Sequence, residues 1–588
     1  MQCYVNRVCS TFCYFCLFSI LKMKRFLHHS IFFPLLLICI LPLDAQISYG
    51  GKPLMNTEDF NAEDVMYLLP TEDPLLIEAT KSFRYNQVKK SLQYAIERVV
   101  DLSPEFNGGW VETETMDIWR VHIISPDALS LGVLFSEYEL SEGVRIFLYD
   151  ESGKHIKGAF THKNNKDFGS LFVSHIPGEQ VIIEMQVDKE TTDYGKLRIG
   201  SVSHAVIPLF GTKKQTNSGL GESQDCEIDI NCEEGEEWQT IKKSVCLITT
   251  PRLYCTGILV NNTSYNGKPY VLTAEHCLNA DYYANNSTFT FRFENSACFI
   301  NDAVADKSIS GADVISTGDT IDFTLLKLSE TPPRAYELYF AGWDVREKTY
   351  ESSVTLHHPN ADAMKISYDF DTQYTPEEVP GDLNDYLVPS NYWIKQWDIG
   401  TTEGGSSGSP LFNPNKRLIG LLSGGLAYCG DSIGYNEETG HTIFSSYNSV
   451  LDKYNKNDYY SRLYYSWDYH EDSDKQLKRW LDPTNTGQLS IGGLSQMALD
   501  VNPVAIPAND ILVYPNPSEG HFILALPDNN YTELNIEIYN ISGKLVYKEK
   551  RPSHPQINMN LNHLHSGMYF MKVRSDNFNG SSRIIIKK

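Results

Sequence analysis

The distribution of cysteine constrains the fold of this chain more than any other feature of its sequence. Five of the twelve cysteines lie before residue 46, and the other seven lie between Cys226 and Cys429. The segments 46–214 and 511–588 contain none. Export of the chain would make the clustered cysteines candidates for disulfide bonds. The pattern therefore predicts one cross-linked unit with cysteine-free segments on both sides.

Length and composition indicate several globular, β-rich domains. The 588 residues exceed one ordinary domain, at roughly 150 residues each. Hydrophobic residues make up 41% and charged residues 21%, which excludes a wholly disordered, collagen-like or coiled-coil chain. The 12% of aromatic residues favours β-structure. The net charge of −24 repels phosphate, so no nucleic-acid partner is expected.

The first 45 residues predict a secretory signal region. An apolar run follows Lys24 and Arg25, and Leu43-Asp44-Ala45 resembles the small-residue cleavage site of a signal peptide. We therefore expect cleavage after Ala45. Translation from Met23 is one interpretation, and an unusually long leader is the other. The apolar runs are shorter than the ~20 residues that cross a bilayer, so no stable membrane span is expected. An internal membrane anchor is the alternative.

Residues 46–214 predict a helix followed by a small β-sandwich. Apolar spacing suggests a helix over Ala79–Val100, and alternating residues predict strands at Trp119–Ile124, Val144–Tyr149 and Val181–Met185. The segment contains no evident catalytic cluster. Its position before the cysteine-bearing unit indicates a propeptide, and an ordinary binding domain is the alternative.

The C-terminal part of the chain predicts a linker and a second sandwich. Residues 496–510 contain Pro503 and Pro507 and few aromatic residues, as linkers do. Residues 511–588 contain short alternating strands, and Asn540–Gly543 predicts a hairpin turn between two of them. The segment is therefore predicted to be a small antiparallel β-sandwich.

Three fragments between residues 215 and 495 carry the residue types that acyl transfer requires. They contain His276, Asp322 and Ser407, in that order along the chain. A serine hydroxyl needs a neighbouring base, histidine can take its proton near neutral pH, and a carboxylate orients the imidazole. Glycines before the serine let the backbone present donors to a developing oxyanion. The order His, Asp, Ser is that of chymotrypsin.

These fragments and others give residues 215–495 a resemblance to trypsin-fold serine proteases, and more closely to bacterial lysyl endopeptidases. The similar stretches are Cys226–Cys232, Cys255–Thr263, Ala341–Asp344, His357–Pro359, Gly404–Pro410 and Trp480–Pro483. The resemblance implies an all-β, chymotrypsin-like domain of two six-stranded barrels. It also implies a serine endopeptidase that acts on protein or peptide substrates and requires no metal or cofactor.

The resemblance implies roles for individual residues. Ser407 would be the nucleophile, His276 the base and Asp322 its orienting carboxylate, with the backbone N–H groups of Gly405 and Ser407 as oxyanion donors. A surface adhesin with a decayed protease domain is the alternative, although no triad position is replaced. Trypsin has an aspartate where this chain has Ser406, so activation by insertion of a new N-terminus is not expected.

The family also implies a disulfide pattern. Its pairs would be Cys226–Cys429, Cys232–Cys298 and Cys255–Cys277. Cys246 is then left over and is expected to be a buried, inert thiol.

Substrate selection is expected to depend on two segments. Ser423, Gly424 and Gly425 resemble the strand along which the substrate backbone pairs. Trypsin's pocket aspartate would fall at Thr401, whereas lysyl endopeptidases use a carboxylate further downstream, which Asp458 matches. Cleavage after lysine is therefore expected, and specificity for arginine or another residue is the alternative. Self-cleavage after Lys213-Lys214 would release the propeptide.

Residues 511–588 resemble the C-terminal sorting domains of Bacteroidetes type IX secretion. The resemblance rests on Tyr514–Pro517, Ile538–Lys544 and Ser566–Tyr569. It implies the type IX secretion machinery as a partner and an extracellular or cell-surface location after outer-membrane export. A carbohydrate-binding sandwich is the structural alternative.

Overall fold

The fold was analysed in a computed structural model of the chain. The structure describes residues 48–54, 65–83, 91–207, 223–298, 300–375, 391–429, 432–436, 441–444, 457–468, 470–499, 511–514, 516, 518, 520–526, 533–552, 556–575 and 578–588. The predicted signal region and the Lys213-Lys214 pair lie outside these ranges. Among the described residues, the helices are all too short or too polar to cross a membrane.

The N-terminal part is a β-sandwich, as its alternating residues predict. Its strands are β1 (Met66–Leu68), β2 (Leu92–Gln93), β3 (Ala95–Leu102), β4 (Gly109–Glu112), β5 (Met116–Ile124), β6 (Ser130–Leu140), β7 (Val144–Tyr149), β8 (Ile156–Phe160), β9 (Leu171–Pro177), β10 (Gln180–Asp188) and β11 (Gly195–Ala205). Helix α1 spans Pro74–Phe83, and a 3-10 turn spans His162–Asn164. One sheet has the order β1-β5-β10-β7-β8, with β4 beside β5, and the other has the order β3-β11-β6-β9. Inward residues such as Val181, Ile183 and Met185 are buried between the sheets.

The prediction of a helix over Ala79–Val100 is wrong for the second half of that range. Helix α1 ends at Phe83, and after the undescribed residues 84–90 the chain is extended in β2 and β3. Strand β3 pairs with β11, and β2 pairs with a strand of the central part. These non-local backbone pairings outweigh the helical spacing of the apolar residues, because intrinsic propensity is a weak determinant beside tertiary contacts.

The central part is built on two large sheets. Its strands are β12 (Ile228–Asp229), β13 (Val245–Thr249), β14 (Leu253–Val260), β15 (Tyr270–Thr273), β16 (Thr288–Phe291), β17 (Ser308–Ser310), β18 (Ala312–Gly318), β19 (Phe323–Leu328), β20 (Tyr339–Phe340), β21 (Ser353–His357), β22 (Lys365–Asp369), β23 (Tyr392–Lys395), β24 (Pro410–Phe412), β25 (Leu418–Gly425), β26 (Ser432–Asn436), β27 (His441–Phe444), β28 (Asp458–Arg462) and β29 (Leu494–Ser495). Its helices are α2 (Asp281–Asn285), α3 (Leu463–Asp468) and α4 (Lys478–Leu481). Its 3-10 turns are Glu233–Trp238, Ile241–Ser244, Arg334–Tyr336, Pro359–Ala361, Ser473–Lys475 and Gln496–Ala498.

The two sheets confirm an all-β, double-barrel architecture and correct the predicted number of strands. The first sheet has the order β17-β16-β13-β14-β15-β19-β18, with β2 of the N-terminal part added beside β14. The second has the order β12-β22-β21-β24-β25-β28-β23. Within the described residues, each sheet therefore contains seven central strands, whereas six were expected. One shared apolar core contains Ile258 and Leu272 of the first sheet and Leu356 and Leu421 of the second.

Three disulfide bonds hold the central part together. They join Cys226 to Cys429, Cys232 to Cys298 and Cys255 to Cys277. Cys246 is a free, fully buried cysteine, and burial raises the pKa of its thiol, so it is poorly suited to act as a thiolate nucleophile.

The bond between Cys255 and Cys277 should contribute measurably to stability. It closes a sequence separation of 22 residues, for which a chain-entropy estimate is ~3 kcal/mol. We expect the Cys255→Ser/Cys277→Ser variant to lose about that free energy of unfolding in urea titrations. Cys246→Ala is the matched control, because it removes a buried sulfur without removing a cross-link. Equal losses in the two variants would contradict the prediction.

The C-terminal part is a small antiparallel sandwich, as predicted. Its strands are β30 (Leu512–Tyr514), β31 (His521–Ala525), β32 (Glu533–Asn540), β33 (Leu545–Pro552), β34 (Gln556–Asn560), β35 (Gly567–Ser575) and β36 (Phe578–Ile586). They form the sheets β30-β31-β34 and β33-β32-β35-β36. The Gly543 N–H donates to the carbonyl of Asn540 at 2.9 Å, which closes the predicted hairpin turn.

Candidate active site

Neighbouring strand ends place the predicted base beside the predicted carboxylate. His276 follows β15, and Asp322 comes directly before β19. These strands are antiparallel, with Thr273 opposite Thr324, so the end of one lies beside the start of the other. Asp322 has a φ of 50°, a left-handed conformation that few residues other than glycine adopt. The sharp backbone turn there directs the Asp322 carboxylate toward His276.

His276, Asp322 and Ser407 form one hydrogen-bonded chain. The Nδ1 atom of His276 lies 3.0 Å from each carboxylate oxygen of Asp322, and Nε2 lies 2.7 Å from Oγ of Ser407. The backbone N–H of His276 also donates to Asp322 Oδ1 at 3.1 Å. A carboxylate at Nδ1 favours the tautomer whose Nε2 can accept a proton from the serine hydroxyl.

The Asp322 carboxylate is held ionised inside the protein. Burial by itself would raise its pKa, but the neighbouring His276 and hydrogen bonds from its ring and backbone bring the pKa below the ordinary value. The carboxylate can therefore stabilise an imidazolium at His276 when that ring takes up a proton.

The loop before Ser407 is shaped to present backbone donors. Gly405 has a φ of 95°, and a Cβ there would lie 2.8 Å from the carbonyl oxygen of His358. Its own carbonyl accepts a hydrogen bond from the Thr256 hydroxyl at 2.9 Å, and the Ser407 carbonyl accepts one from the Thr256 N–H at 2.8 Å. Among the described residues, the N–H groups of Gly405 and Ser407 have no acceptor. They are free to bind an oxyanion formed at Ser407.

Ser406 is held by hydrogen bonds in the interior. Its Oγ lies 2.8 Å from Nδ1 of His357 and accepts from the Glu403 N–H at 3.2 Å. The buried hydroxyl therefore stabilises the loop through hydrogen bonds, without the ion pair that an aspartate would form with an inserted N-terminal ammonium.

Asp458 is buried beside the loop that carries Ser407. Its side chain is fully buried, and its Oδ2 accepts from the indole N–H of Trp397 at 2.7 Å and from the Thr402 hydroxyl at 2.6 Å. Asp458 begins β28 and pairs with Gly425 of β25. A Cβ on Gly425 would lie 2.3 Å from Asp458 Oδ1, so only glycine leaves room there. The backbone of Gly425 is therefore packed closely against the Asp458 carboxylate.

The remaining predicted substrate residues lie on the same wall. Ser423, Gly424 and Gly425 end strand β25 and are buried. The pairing of β25 with β28 changes register between Leu422 and Gly424. Gly424 and Gly425 have φ values of 159° and 152°. On the other side of β25, the described pairing with β24 ends at Pro410 opposite Leu421, before Ser423, and an added peptide could pair there.

Two pocket residues and one site residue were missed by the sequence analysis. Trp397 and Thr402 donate hydrogen bonds to Asp458. Tyr392 is buried, and both burial and the charge of Asp322 raise the pKa of its hydroxyl. The position of Thr402, five residues before Ser407, is the signal that could have found it. Strand pairing brings the other two to the site, and no local motif marks them.

Comparison with known proteins identifies the central segment. Residues 220–440 match the family model described as "Lysyl endopeptidase, C-terminal domain". The segment is homologous to lysyl endopeptidases. The matched residues include the predicted catalytic positions His276, Asp322 and Ser407 but end before Asp458.

Individual relatives resemble parts of the chain. The lysyl endopeptidase of Pseudomonas aeruginosa is 24% identical over 253 residues, which cover 40% of this chain and 52% of that protein. The chain thus spans about half the length of this relative. Secreted RxLR effector protein 73 of Plasmopara viticola is 28% identical over 286 residues, covering 46% of this chain and 66% of the effector. Among solved structures, kallikrein-related peptidase 10 in complex with Zn2+ aligns with a TM-score of 0.24 and 18% identity, covering 38% of this chain and 89% of that one.

The C-terminal sandwich is identified by a second family. Residues 512–587 match the family model described as "Secretion system C-terminal sorting domain". This tail, of the type IX secretion kind, together with the lysyl endopeptidase homology, indicates a secreted protein exported to the cell surface.

Proposed function

We propose that the protein is a secreted serine endopeptidase that cleaves peptide bonds after lysine. The single observation that supports this most is the 2.7 Å contact between His276 Nε2 and Ser407 Oγ, with Asp322 at the other ring nitrogen. In the proposed reaction, His276 takes the hydroxyl proton while Ser407 attacks the substrate carbonyl. The N–H groups of Gly405 and Ser407 stabilise the oxyanion, and His276 then protonates the leaving amine. Water hydrolyses the resulting acyl-enzyme.

Lysine specificity is proposed from the chemistry of the pocket. A buried ammonium is strongly unfavourable unless a carboxylate and further hydrogen-bonding groups receive it. Asp458 is such a carboxylate, and the Trp397 and Thr402 donors hold one of its oxygens in place. Its other oxygen faces Gly425 and the Ala427 N–H at 3.4 Å. Arginine is the rival substrate residue, since it carries the same charge on a larger group.

Export is proposed to depend on the C-terminal sandwich and the type IX secretion machinery. The N-terminal sandwich, residues 46–214, is proposed to act as a propeptide that is removed after export. The proposed boundaries of the other parts are 215–495 for the protease domain, 496–510 for the linker and 511–588 for the sorting domain.

Two measurements on the mature protein test the proposed function. The first is labelling by an organophosphonate that carries a lysine side chain, with peptide mapping of the modified residue; we expect modification at Ser407. The second is digestion of a peptide library, in which we expect cleavage after lysine. Failure of Ser407 to react would favour the decayed-protease adhesin, and cleavage mainly after arginine would contradict the proposed specificity.

The Thr402 hydroxyl is expected to support lysine binding by orienting Asp458. Thr402→Val removes one donor to the carboxylate, and hydrogen bonds to charged groups contribute ~1.5–3 kcal/mol. We therefore expect kcat/KM for lysyl peptides to fall at least about 10-fold. Thr401→Val is the matched control, because the Thr401 hydroxyl has no hydrogen-bond partner among the described residues. Equal effects of the two substitutions would show that Thr402 has no special role.

A further inference from the structure

The turn before Ser407 is closed by Ser406. The Ser406 N–H donates to the Glu403 carbonyl at 3.0 Å, and the Ser406 Oγ accepts from the Glu403 N–H at 3.2 Å. This turn contains Gly405, whose N–H is one of the two proposed oxyanion donors. The direction of that N–H therefore depends on a turn that the Ser406 side chain helps to close.

His357 completes the hydrogen bonding of the Ser406 hydroxyl. The Nδ1 atom of His357 lies 2.8 Å from Ser406 Oγ. The Oγ atom already accepts from the Glu403 N–H, so its own proton is available for Nδ1. Both side chains are fully buried, so solvent does not replace this bond. Loss of the His357 acceptor would leave a buried hydroxyl unpaired, which is unfavourable.

The other ring nitrogen of His357 is bound from a neighbouring strand. Its Nε2 lies 3.2 Å from Oγ of Ser367, whose hydroxyl donates to the Thr401 carbonyl at 2.7 Å. Ser367 therefore accepts from the ring, which places the imidazole proton on Nε2. The Glu227 carboxylate, 3.6 Å from Nε2, favours the same tautomer. Nδ1 is then the ring atom that can accept from Ser406.

His357 connects the turn to paired strands of the second sheet. It is the last residue of β21, where it lies opposite Lys365 of β22, and β21 also pairs with β24 through Thr355 and Leu411. Side chains on paired strands hold a site more precisely than side chains on loops. The ring therefore fixes the position of the Ser406 hydroxyl relative to the sheet.

We propose that His357 is a positioning residue for catalysis, which acts through Ser406 to keep the N–H groups of Gly405 and Ser407 directed at the oxyanion. This rests on the proposed function. The turn is then held by an imidazole from the chain's own sheet, where trypsin uses an ion pair with an inserted N-terminus. Because every partner belongs to the central part, no new N-terminus is needed to order the oxyanion donors.

Two substitutions in the mature protein separate the roles of the two ring nitrogens. In His357→Asn, the amide can occupy the position of Nδ1 and still bond to Ser406. In His357→Gln, the longer amide occupies the position of Nε2, bonds to Ser367 and leaves the Ser406 hydroxyl without its acceptor. We expect kcat for a lysyl peptide to fall about 10²-fold in His357→Gln, close to the loss of one oxyanion donor. His357→Asn should keep kcat within about 5-fold of the wild type, and KM should change little in both variants, because Asp458 is untouched.

Inhibitor binding distinguishes positioning from a general loss of stability. A lysyl peptide aldehyde forms a hemiacetal with Ser407, and its oxygen lies where the oxyanion of the reaction forms. The corresponding alcohol has no electrophilic carbon and forms no such bond. In His357→Gln we expect the aldehyde to bind about 10²-fold more weakly and the alcohol to bind as it does to the wild type. Reduced stability alone would not weaken one inhibitor and spare the other.

A double substitution tests whether His357 acts through Ser406. Ser406→Ala removes the hydroxyl and should lower kcat by a similar ~10²-fold. Adding His357→Gln to Ser406→Ala should lower kcat by less than about 3-fold more, since the contact is already lost. Thr355→Val is the matched control, because it removes a buried hydroxyl of the same strand that bonds to Ser409 at 3.3 Å instead of to Ser406. We expect this variant to keep its kcat and its affinity for the aldehyde.

Three results would each overturn the proposal. They are an unchanged kcat in Ser406→Ala, equal losses of kcat in His357→Asn and His357→Gln, and a fully additive effect in the double variant. The first can be measured even if His357→Gln does not fold. Each of them leaves the proposed function intact, because the wild type still cleaves lysyl peptides. A wild type that neither reacts at Ser407 nor cleaves such peptides would overturn the proposed function and this proposal with it.

Discussion

Replacement of Ser407 by alanine is expected to lower kcat for peptide hydrolysis about 10⁶-fold, the size of effect seen when a triad serine is removed. The substitution deletes the atom that lies 2.7 Å from His276 Nε2 and leaves no group to form the acyl-enzyme. The Gly405 N–H and the Asp458 pocket are untouched, so KM should change little and a small residual rate should remain. Steady-state kinetics with a lysyl peptide measure both parameters.

Ser409→Ala is the control for the Ser407 substitution. Ser409 lies two residues further along the same loop, and its hydroxyl is buried beside Thr355 at 3.3 Å instead of His276. We expect this variant to keep its turnover and its reaction with the phosphonate. Retention of turnover in Ser407→Ala, or loss of labelling in Ser409→Ala alone, would show that the nucleophile has been assigned to the wrong serine.

Asp458→Asn is expected to lower kcat/KM for lysyl peptides by about 10²–10³-fold. An amide is nearly the same shape as the carboxylate, and its oxygen can still accept from Trp397 and Thr402. It carries no charge, however, and an ammonium that enters the pocket is then left without its partner, at a cost of ~3–5 kcal/mol. Peptides with norleucine in place of lysine have no ammonium, so their kcat/KM should be affected far less.

The ratio of lysyl to norleucyl kcat/KM separates specificity from folding. A misfolded Asp458→Asn variant would lose both activities together, whereas loss of the charge partner alters their ratio. Asp398→Asn is the matched control, because Asp398 is exposed and accepts a hydrogen bond from Phe370 outside the pocket. If the ratio for Asp458→Asn equals that of the wild type, another group binds the lysine and the pocket assignment is wrong.

Strand positions could be predicted where the alternation is strong. The predicted strand Val144–Tyr149 coincides with β7. The alternation of Leu534–Tyr539 also predicts a strand, which lies within β32. Alternate residues of each strand, such as Ile146 and Ile536, are buried in an apolar core. The predicted helix at Ala79–Val100 was wrong beyond Phe83, since β2 and β3 are stabilised by partners more than 90 residues away. No window of neighbouring residues contains that information.

At the end of the protease-like segment, too, contacts with residues outside a short window changed the predicted secondary structure. Ser473 and Asp474 suit the start of a helix, Lys478 and Arg479 suit its last turn and Pro483 its end, so the sequence predicts one closing helix over Ser473–Leu481. In the structure, a 3-10 turn at Ser473–Lys475 is separated from α4 at Lys478–Leu481. The Leu477 N–H bonds to the Ser466 carbonyl at 3.0 Å instead of to its own helix. Leu477 and Leu481 nonetheless enter the core as predicted. Apolar spacing predicted which side chains are buried, while the neighbouring helix α3 decided the backbone path.

The sequence by itself determined which functional motifs this protein contains. They are the ordered residues His276, Asp322 and Ser407, the glycine-rich loop, the clustered cysteines and the sorting tail. These are local patterns, and each is readable because its neighbours along the chain belong to the same motif. The tertiary structure alone decided which donors hold Asp458 and which strand of the N-terminal part pairs with β14. Strand pairing joins Gly425 to Asp458 and Tyr254 to Leu92 across 33 and 162 residues. The register of such strand pairs depends on how whole sheets pack. Backbone hydrogen bonds between strands form in the same way whichever side chains the strands carry, so they do not by themselves select the partner residues.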